Sequence, residues 1–347
     1  GGLLAAYKLA KEGKTPLLLE KGPSCASSNL ANLSGPAACN TSNQKASGIT
    51  IATERALYDH YVEWARGSAN SKLLKNLLSN STEAFESLVD CGLHFYNYVE
   101  YTGDPQYGES LKWAPLHNFV EVGEERIQPI VSAIEAMGGS FIYNCEATEV
   151  VLEDGVVAGV KAIRDNNTVL SIATKAVFLA TGGFGASEEM IHDRFLGVPL
   201  VNMGTPTNSG DGIRMAWAVG AGKEGTEVQA SYRPGPRGVG TTNHVSATAK
   251  QPHLWLTPKG ERFCDEKIML EWPFAGNALE RIGGTMFVVY DQATLDHMVK
   301  DAGIDLGVGV MVPVGTKLVN FDKEWDAAVK AGWAFKADTL DGLAKAT

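Results

Sequence analysis

Gly2, the carboxylate of Glu20, and the glycine-rich turns at 180–183 and 208–212 are the parts of this 347-residue chain whose types and spacing suggest chemistry. Gly2 opens a helical stripe of Leu3, Leu4, Ala6, Tyr7 and Ala10 that Gly13 ends. Thr15 to Leu19 is an apolar run closed by Glu20, and it reads as a buried parallel strand. A glycine that lets a helix pack closely on a strand, with an acid about twenty residues later at the tip of the next strand, suits a dinucleotide. The helix N-terminus faces the pyrophosphate and the carboxylate grips ribose hydroxyls. An ordinary helix–strand pair would read the same way.

Two further turns repeat that logic. Lys175 to Ala180 reads as a buried strand that runs into Thr181-Gly182-Gly183, at the carboxyl edge where parallel sheets bind ligands. Asn208-Ser209-Gly210-Asp211-Gly212 precedes an apolar helix of Ile213, Ala216, Trp217 and Val219. The loop 27–38 gathers Ser27, Ser28, Asn29, Ser34 and Gly35, which offer hydroxyls, an amide and open backbone. A flavin ring needs such donors and acceptors at its pyrimidine edge; a polar surface loop has the same composition. Of the remaining polar residues, Tyr232 can donate a proton, and Arg233 or Arg237 can grip an anion. His244 and His253 read as polar structural residues, and Arg262 with Glu266 as a structural ion pair.

The elements that must position these residues come in a mixed order. Residues 53–91 are mostly helical, residues 95–117 hold many aromatics, and 127–137 read as a helix stopped by Gly138-Gly139. A β region follows at 141–143, 149–152, 156–163 and 168–172, with turns at Asp154-Gly155 and Asp165-Asn166-Asn167. Short apolar runs at 254–256 and 285–290, a helix over 292–300 and a helix start capped by Asp338 or Thr339 complete the chain. Hydrophobic residues at 44% and charged residues at 20% are ordinary for a globular protein, and the 38 glycines point to many close backbone approaches. A net charge of −10 argues against nucleic-acid or anionic-membrane partners, and no apolar run has the length of a membrane span. The five cysteines are scattered, without CxxC pairs, which fits a reduced compartment and argues against a metal site or disulfide framework.

Gly2-Leu3 with Glu20-Lys21, the Ser/Asn/Gly loop, LATGGFG at 179–185, SGDG at 209–212 and GERFCDE at 260–266 occur in an order that resembles the FAD-dependent fumarate reductase/succinate dehydrogenase flavoprotein superfamily. The likeness is nearest to its flavocytochrome c, urocanate reductase and 3-ketosteroid dehydrogenase branch, and KADTLDGLAKAT is similar to a segment of that branch's capping domain. The resemblance implies an α/β chain: a glutathione-reductase-like FAD-binding domain over 1–215, with an inserted α+β capping domain over 216–347. Both termini then look truncated. The first strand and first glycines would precede Gly1, and a segment that closes the flavin site would follow Thr347.

By the same resemblance Gly2, Glu20 and Lys21 serve the dinucleotide, Ser28, Asn29, Ser34 and Gly35 line the flavin, and Ala147 meets the adenine through its backbone. Thr181, Gly182, Gly183 and Asp211 complete the FAD shell. The FAD is expected to be non-covalent, since residues 27–38 contain no histidine. The implied activity is hydride transfer between flavin and an activated C=C bond of a small unsaturated substrate. The electron donor would be a partner protein or a reduced nicotinamide. Fumarate itself is not expected. The family's acid, an arginine eight residues after that of GxRF, corresponds here to Leu270, and its substrate-binding HPT has no match in QASYRPGPR at 229–237. Tyr232 and Arg233 are then the candidates for catalysis. An electron-transfer subunit and a non-catalytic homologue remain open alternatives. The expected compartment is the cytoplasm, or the periplasm if a leader has been lost.

Overall fold

The computed structural model describes residues 1–31, 35–48, 53–97, 116–195, 200–202, 204–225, 234–236, 239–240, 242–270, 272–308 and 312–347. These fall into two compact units. The first takes the described residues up to 225 except 200 and 201; the second takes those two and everything from 234 onward. The division lies beyond the expected 215/216 boundary. The chain after residue 215 stays with the first unit: it finishes a helix there, and Glu224 accepts a hydrogen bond from Asn70 Nδ2 at 2.7 Å.

In the first unit, α1 (Gly2–Lys11) leads into β1 (Leu17–Leu19). Helices α2 (Ser42–Ala46), α3 (Glu54–Trp64) and α4 (Ser71–Asp90) follow, then the antiparallel pair β2 (Phe95–Asn97) and β3 (His117–Phe119). Next come α5 (Gln128–Ala136) and β4 (Ser140–Ile142), then β5 (Cys145–Glu153), β6 (Val156–Arg164) and β7 (Thr168–Ala173). The unit closes with α6 (Glu188–Phe195) and α7 (Asp211–Ala218). β1 pairs in parallel with β4, Leu18 opposite Phe141, and β5–β6–β7 form an antiparallel sheet. Its two turns need left-handed backbone, which Asp154-Gly155 and Asp165-Asn166 supply with φ between 50° and 77°. The apolar stripe of α1 packs with α5: Ala6, Tyr7, Ile130 and Ile134 share one core with Leu93 and Phe119.

Two expectations need correction. Leu17 is 42% exposed, so β1 is parallel but only partly buried. Residues 175–180 form no strand: no described strand pairs with them, and Phe178 is 68% exposed. Apolar composition gives a segment the tendency to extend, but a strand also needs a neighbour for its N–H and C=O groups. The aromatics at 98–115 lie outside the described residues.

The second unit holds α8 (His244–Thr248), β8 (Leu254–Leu256), α9 (Trp272–Arg281), β9 (Phe287–Val289), α10 (Gln292–Asp296), α11 (Phe321–Lys330) and α12 (Leu340–Ala346). β8 and β9 pair antiparallel, Trp255 opposite Val288. Thr339 caps α12, its Oγ1 accepting from Gly342 N at 3.0 Å. One core gathers Trp255, Met269, Ala275 and Leu306; another is built from Met298, Ile304, Leu318 and Phe321. Among the described residues no helix is long and apolar enough to cross a membrane.

His253 tilts against Tyr290 with ring centroids 5.6 Å apart, and its Nε2 is buried without a hydrogen bond. Burial holds the imidazole pKa below its ordinary value. His297 adds to the depression, and Asp305 and Asp291 oppose it. The folded protein therefore resists a proton that the unfolded chain binds from about pH 6.5 downward. Stability is expected to fall as pH drops below that value. Urea midpoints for wild type and His253→Gln at pH 7.5 and 5.5 check this, since the substitution should flatten the slope.

Candidate FAD site

In the first unit, the end of β1, the loop after it and the two glycine turns converge. The Glu20 amide donates to Ile142 O at 2.9 Å and the Glu20 carbonyl accepts from Cys145 N at 2.9 Å, which fixes Glu20 at the tip of the parallel pair. Its Oε1 accepts from Gly22 N at 2.7 Å. Gly22 is held to hydrogen by Ser27, whose Oγ would lie 2.2 Å from an added Cβ.

Lys21 ties three segments together. Its Nζ donates to Glu146 Oε1 at 2.9 Å, Ser209 Oγ at 2.9 Å and Asp211 Oδ2 at 3.0 Å. Burial works against its charge, but the two carboxylates outweigh that and hold the ammonium pKa above its usual value. Asp211 also pairs with Arg214 at 3.1 Å, so its carboxylate is engaged within the protein. Ala147 sits where the β5–β6 register slips between Ala147 and Glu149, and such a bulge re-aims backbone groups.

The loop after β1 is pinned to the stretch before α7. Asn29 Oδ1 accepts from Thr205 N at 3.2 Å, and Ser27 O accepts from Thr205 Oγ1 at 2.5 Å and Thr207 Oγ1 at 3.2 Å. Ser28 Oγ donates to Cys25 O at 2.8 Å. Gly35 is pressed onto β3, where the His117 amide donates to Pro36 O at 3.0 Å. The 181–183 turn meets the N-terminus of α7: Gly212 N donates to Thr181 Oγ1 at 3.0 Å and Gly210 N to Gly183 O at 3.1 Å. Gly182 at φ 76° and Gly210 at φ 83° adopt backbone that side chains disfavour. Gly2 lies against Ala180, whose Cβ would be 3.2 Å from an added Cβ.

The structure thus brings Gly2, Glu20, Lys21, Ser28, Asn29, Gly35, Ala147, Thr181, Gly182, Gly183 and Asp211 into one unit. Ser34, Tyr232, Arg233 and Arg237 lie outside the described residues. In the second unit His244 is structural, its Nδ1 accepting from Asn320 N at 3.0 Å. Arg262 and Glu266 form the ion pair read from the sequence, with Nε–Oε1 at 2.9 Å, and Glu266 Oε1 also accepts from Trp255 N at 3.1 Å. Burial pushes the Glu266 carboxyl up, but Arg262 and the backbone donors more than offset this and hold it below the ordinary range. Burial raises all five thiols above their usual pKa, which disfavours the reactive thiolate.

Sequence reasoning passed over two residues. Lys250 is 4% exposed, donates to Ser246 Oγ at 2.7 Å, and underlies Gly235 in the stretch that carries Tyr232 and Arg233. A lone cation ending the small-residue run at 245–249 was the available signal. The other is Asn118, the middle residue of the fully buried strand β3.

Comparison with known proteins decides the family. The family model described as "FAD binding domain" matches residues 1–299. The chain belongs to this FAD-binding family. It is 30% identical to a vinyl phenol reductase of Lactiplantibacillus plantarum over 362 aligned positions, covering 99% of this chain and 70% of the relative. It is 27% identical to an NADH:fumarate oxidoreductase of Klebsiella pneumoniae, over 55% of this chain and only 20% of the larger protein. Its fold is that of a 3-ketosteroid Δ1-dehydrogenase from Sterolibacterium denitrificans, with a TM-score of 0.68 at 16% identity over 99% of this chain and 74% of that one. A flavocytochrome c3 fumarate reductase gives 0.65 at 21% identity over 98% of this chain and 61% of that one.

The residues present fit FAD. Gly183 faces space that no protein atom fills within 4 Å of an added Cβ, one oxygen of Glu20 makes no hydrogen bond to the described residues, and a buried amide in the same unit lacks partners. Gly183 offers a clean test: an added Cβ would meet no protein atom within 4 Å, and its φ is not positive. Gly183→Ala is expected to leave urea stability within about 0.5 kcal/mol of wild type while weakening FAD binding in a fluorescence titration. A protein-packing role for this glycine would move the first and not the second.

Proposed function

We propose that the chain is the flavin-binding part of an FAD-dependent oxidoreductase that reduces, or in reverse forms, an activated C=C bond in a small unsaturated substrate of the vinyl phenol class. The first compact unit is the FAD domain and the second contributes the capping domain. Bound FAD, once reduced, would supply the hydride for alkene reduction and would accept it in the reverse direction. Gly2 lies near the pyrophosphate, Glu20 holds the ribose, the 181–183 turn and Asp211 complete the cofactor shell, and the loop around Gly35 borders the ring. Tyr232 delivers the proton to the carbon that does not receive hydride, and Arg233 holds the phenolate or other polar end of the substrate. Reduced nicotinamide or an electron-donor protein restores the reduced cofactor.

The likeness to the vinyl phenol reductase along 99% of this chain carries the reading. Leu270 supports it. This residue closes a short 3₁₀ turn over Glu266–Leu270, where an acid for fumarate reduction would be an arginine, and an aliphatic side chain offers a carboxylate nothing. The test is reoxidation of the photoreduced, anaerobic holoprotein. A vinyl phenol should restore the flavin absorbance and fumarate should not. Faster reoxidation by fumarate, or by a protein acceptor alone, overturns the proposal.

A further inference from the structure

Asn118 is 1% exposed, and neither its Nδ2 nor its Oδ1 has a hydrogen-bond partner. Among the described residues it alone leaves both a donor and an acceptor of one side chain buried and unpaired. Other amides buried as deeply are satisfied. Gln251 donates to Leu306 O at 2.9 Å and accepts from Leu306 N at 3.0 Å; Gln44 accepts from Thr41 N at 3.1 Å. Burying an unpaired amide is costly, so Asn118 stands out as a side chain that no described residue satisfies.

Its position says where a partner would lie. His117 and Phe119 project to one face of β3. His117 meets Thr41 Oγ1 at 2.7 Å and Phe85 at 4.3 Å between centroids, and Phe119 meets Phe95 at 4.8 Å. Alternation along a strand sends Asn118 to the other face. The loop after β1 runs along the edge of β3, with the His117 amide donating to Pro36 O at 3.0 Å, so closely that a Cβ on Gly35 would lie 3.0 Å from Asn118 Cα. Asn118 is therefore a strand residue that abuts the loop read as bordering the flavin.

We infer that Asn118 is a hydrogen-bonding residue for the bound flavin ring, offering its N–H and C=O to the ring's polar edge. This rests on the flavoprotein reading above. The chemistry favours the cofactor over the substrate. A flavin's pyrimidine edge presents adjacent N–H and C=O groups that match an amide's two functions, whereas a vinyl phenol presents a single hydroxyl, which the proposed function gives to Arg233.

The test compares wild type, Asn118→Leu and Asn118→Asp by apoprotein melting, FAD titration, the bound-flavin spectrum and the midpoint potential. Removing an unpaired buried amide should leave the Asn118→Leu apoprotein at least as stable as wild type. FAD affinity should fall about tenfold and the flavin band should shift. Asn118→Asp, which puts a carboxylate beside the ring, should make the midpoint potential more negative, and it keeps the test open if the leucine variant does not fold. A less stable leucine apoprotein with unaltered FAD affinity assigns the amide a structural role and overturns the inference. So does a raised KM for the alkene with unchanged flavin binding and potential. Wild-type protein that takes up no FAD defeats the flavoprotein reading itself; FAD uptake that neither variant alters defeats only the assignment of Asn118.

Discussion

Replacing Gly35 by alanine is expected to destabilise the first unit by about 3 kcal/mol and to abolish stable FAD capture. The added Cβ would lie 1.7 Å from the His117 carbonyl oxygen and 2.7 Å from its carbonyl carbon. Both are backbone atoms of β3, so no side chain can rotate away, and either the loop or the strand must move. The loop is held there by the His117 amide, which donates to Pro36 O at 3.0 Å, and by an antiparallel bridge between Ala37 and Leu116. Displacement breaks both and opens the segment proposed to border the ring. Gly35 has no positive φ, so relieved backbone strain offsets nothing. Urea unfolding followed by circular dichroism, with FAD titration of the folded fraction, measures the two effects. A variant as stable as wild type would show that the loop and β3 are not in contact in solution. Gly183→Ala is the matched control, because the same atom added there meets no protein.

That contrast shows what the sequence could and could not disclose. The helices α1, α4 and α5, the hairpins of β5–β6–β7 and the β8 and β9 strands were legible because each carries a local signal: an apolar stripe, an Asp-Gly or Asp-Asn turn, or a short apolar run. The FAD-binding family was legible because the glycine turns follow one another along the chain in a specific order. The strand expected at 175–180 failed for a non-local reason. Ladder partners come from elsewhere in the chain, and composition does not reveal whether one is present. Asn118 and Lys250 were missed for a related reason. An asparagine between His117 and Phe119, or a lysine after Ala249, looks like surface polarity until burial is known. The position of Glu266 followed from the Arg262 spacing of four residues, but its second role, accepting from the Trp255 amide, is a tertiary fact.

Trp255 is the side chain on which the second unit depends most, and Trp255→Ala should cost about 4 kcal/mol. The indole is 0% exposed, the largest fully buried side chain among the described residues, and it packs with Met269, Ala275 and Leu306 beside Phe263. The loss has a packing part and a polar part. Truncation leaves a cavity that residues on β8, α9 and the 266–270 turn cannot all collapse to fill, because each is anchored separately. It also removes the Nε1 hydrogen bond to Gln251 O at 3.0 Å. The Gln251 backbone carbonyl keeps a second donor, His253 N at 2.8 Å, so the polar part is the smaller of the two. Trp255→Phe refills much of the volume without restoring the N–H. It should recover more than half of the loss, and the remainder measures the polar part. With native stabilities of only about 5–15 kcal/mol, the alanine variant should unfold at markedly lower urea, read by far-ultraviolet circular dichroism. Equal midpoints for the alanine variant and wild type would mean that the β8–α9 core is not packed as described.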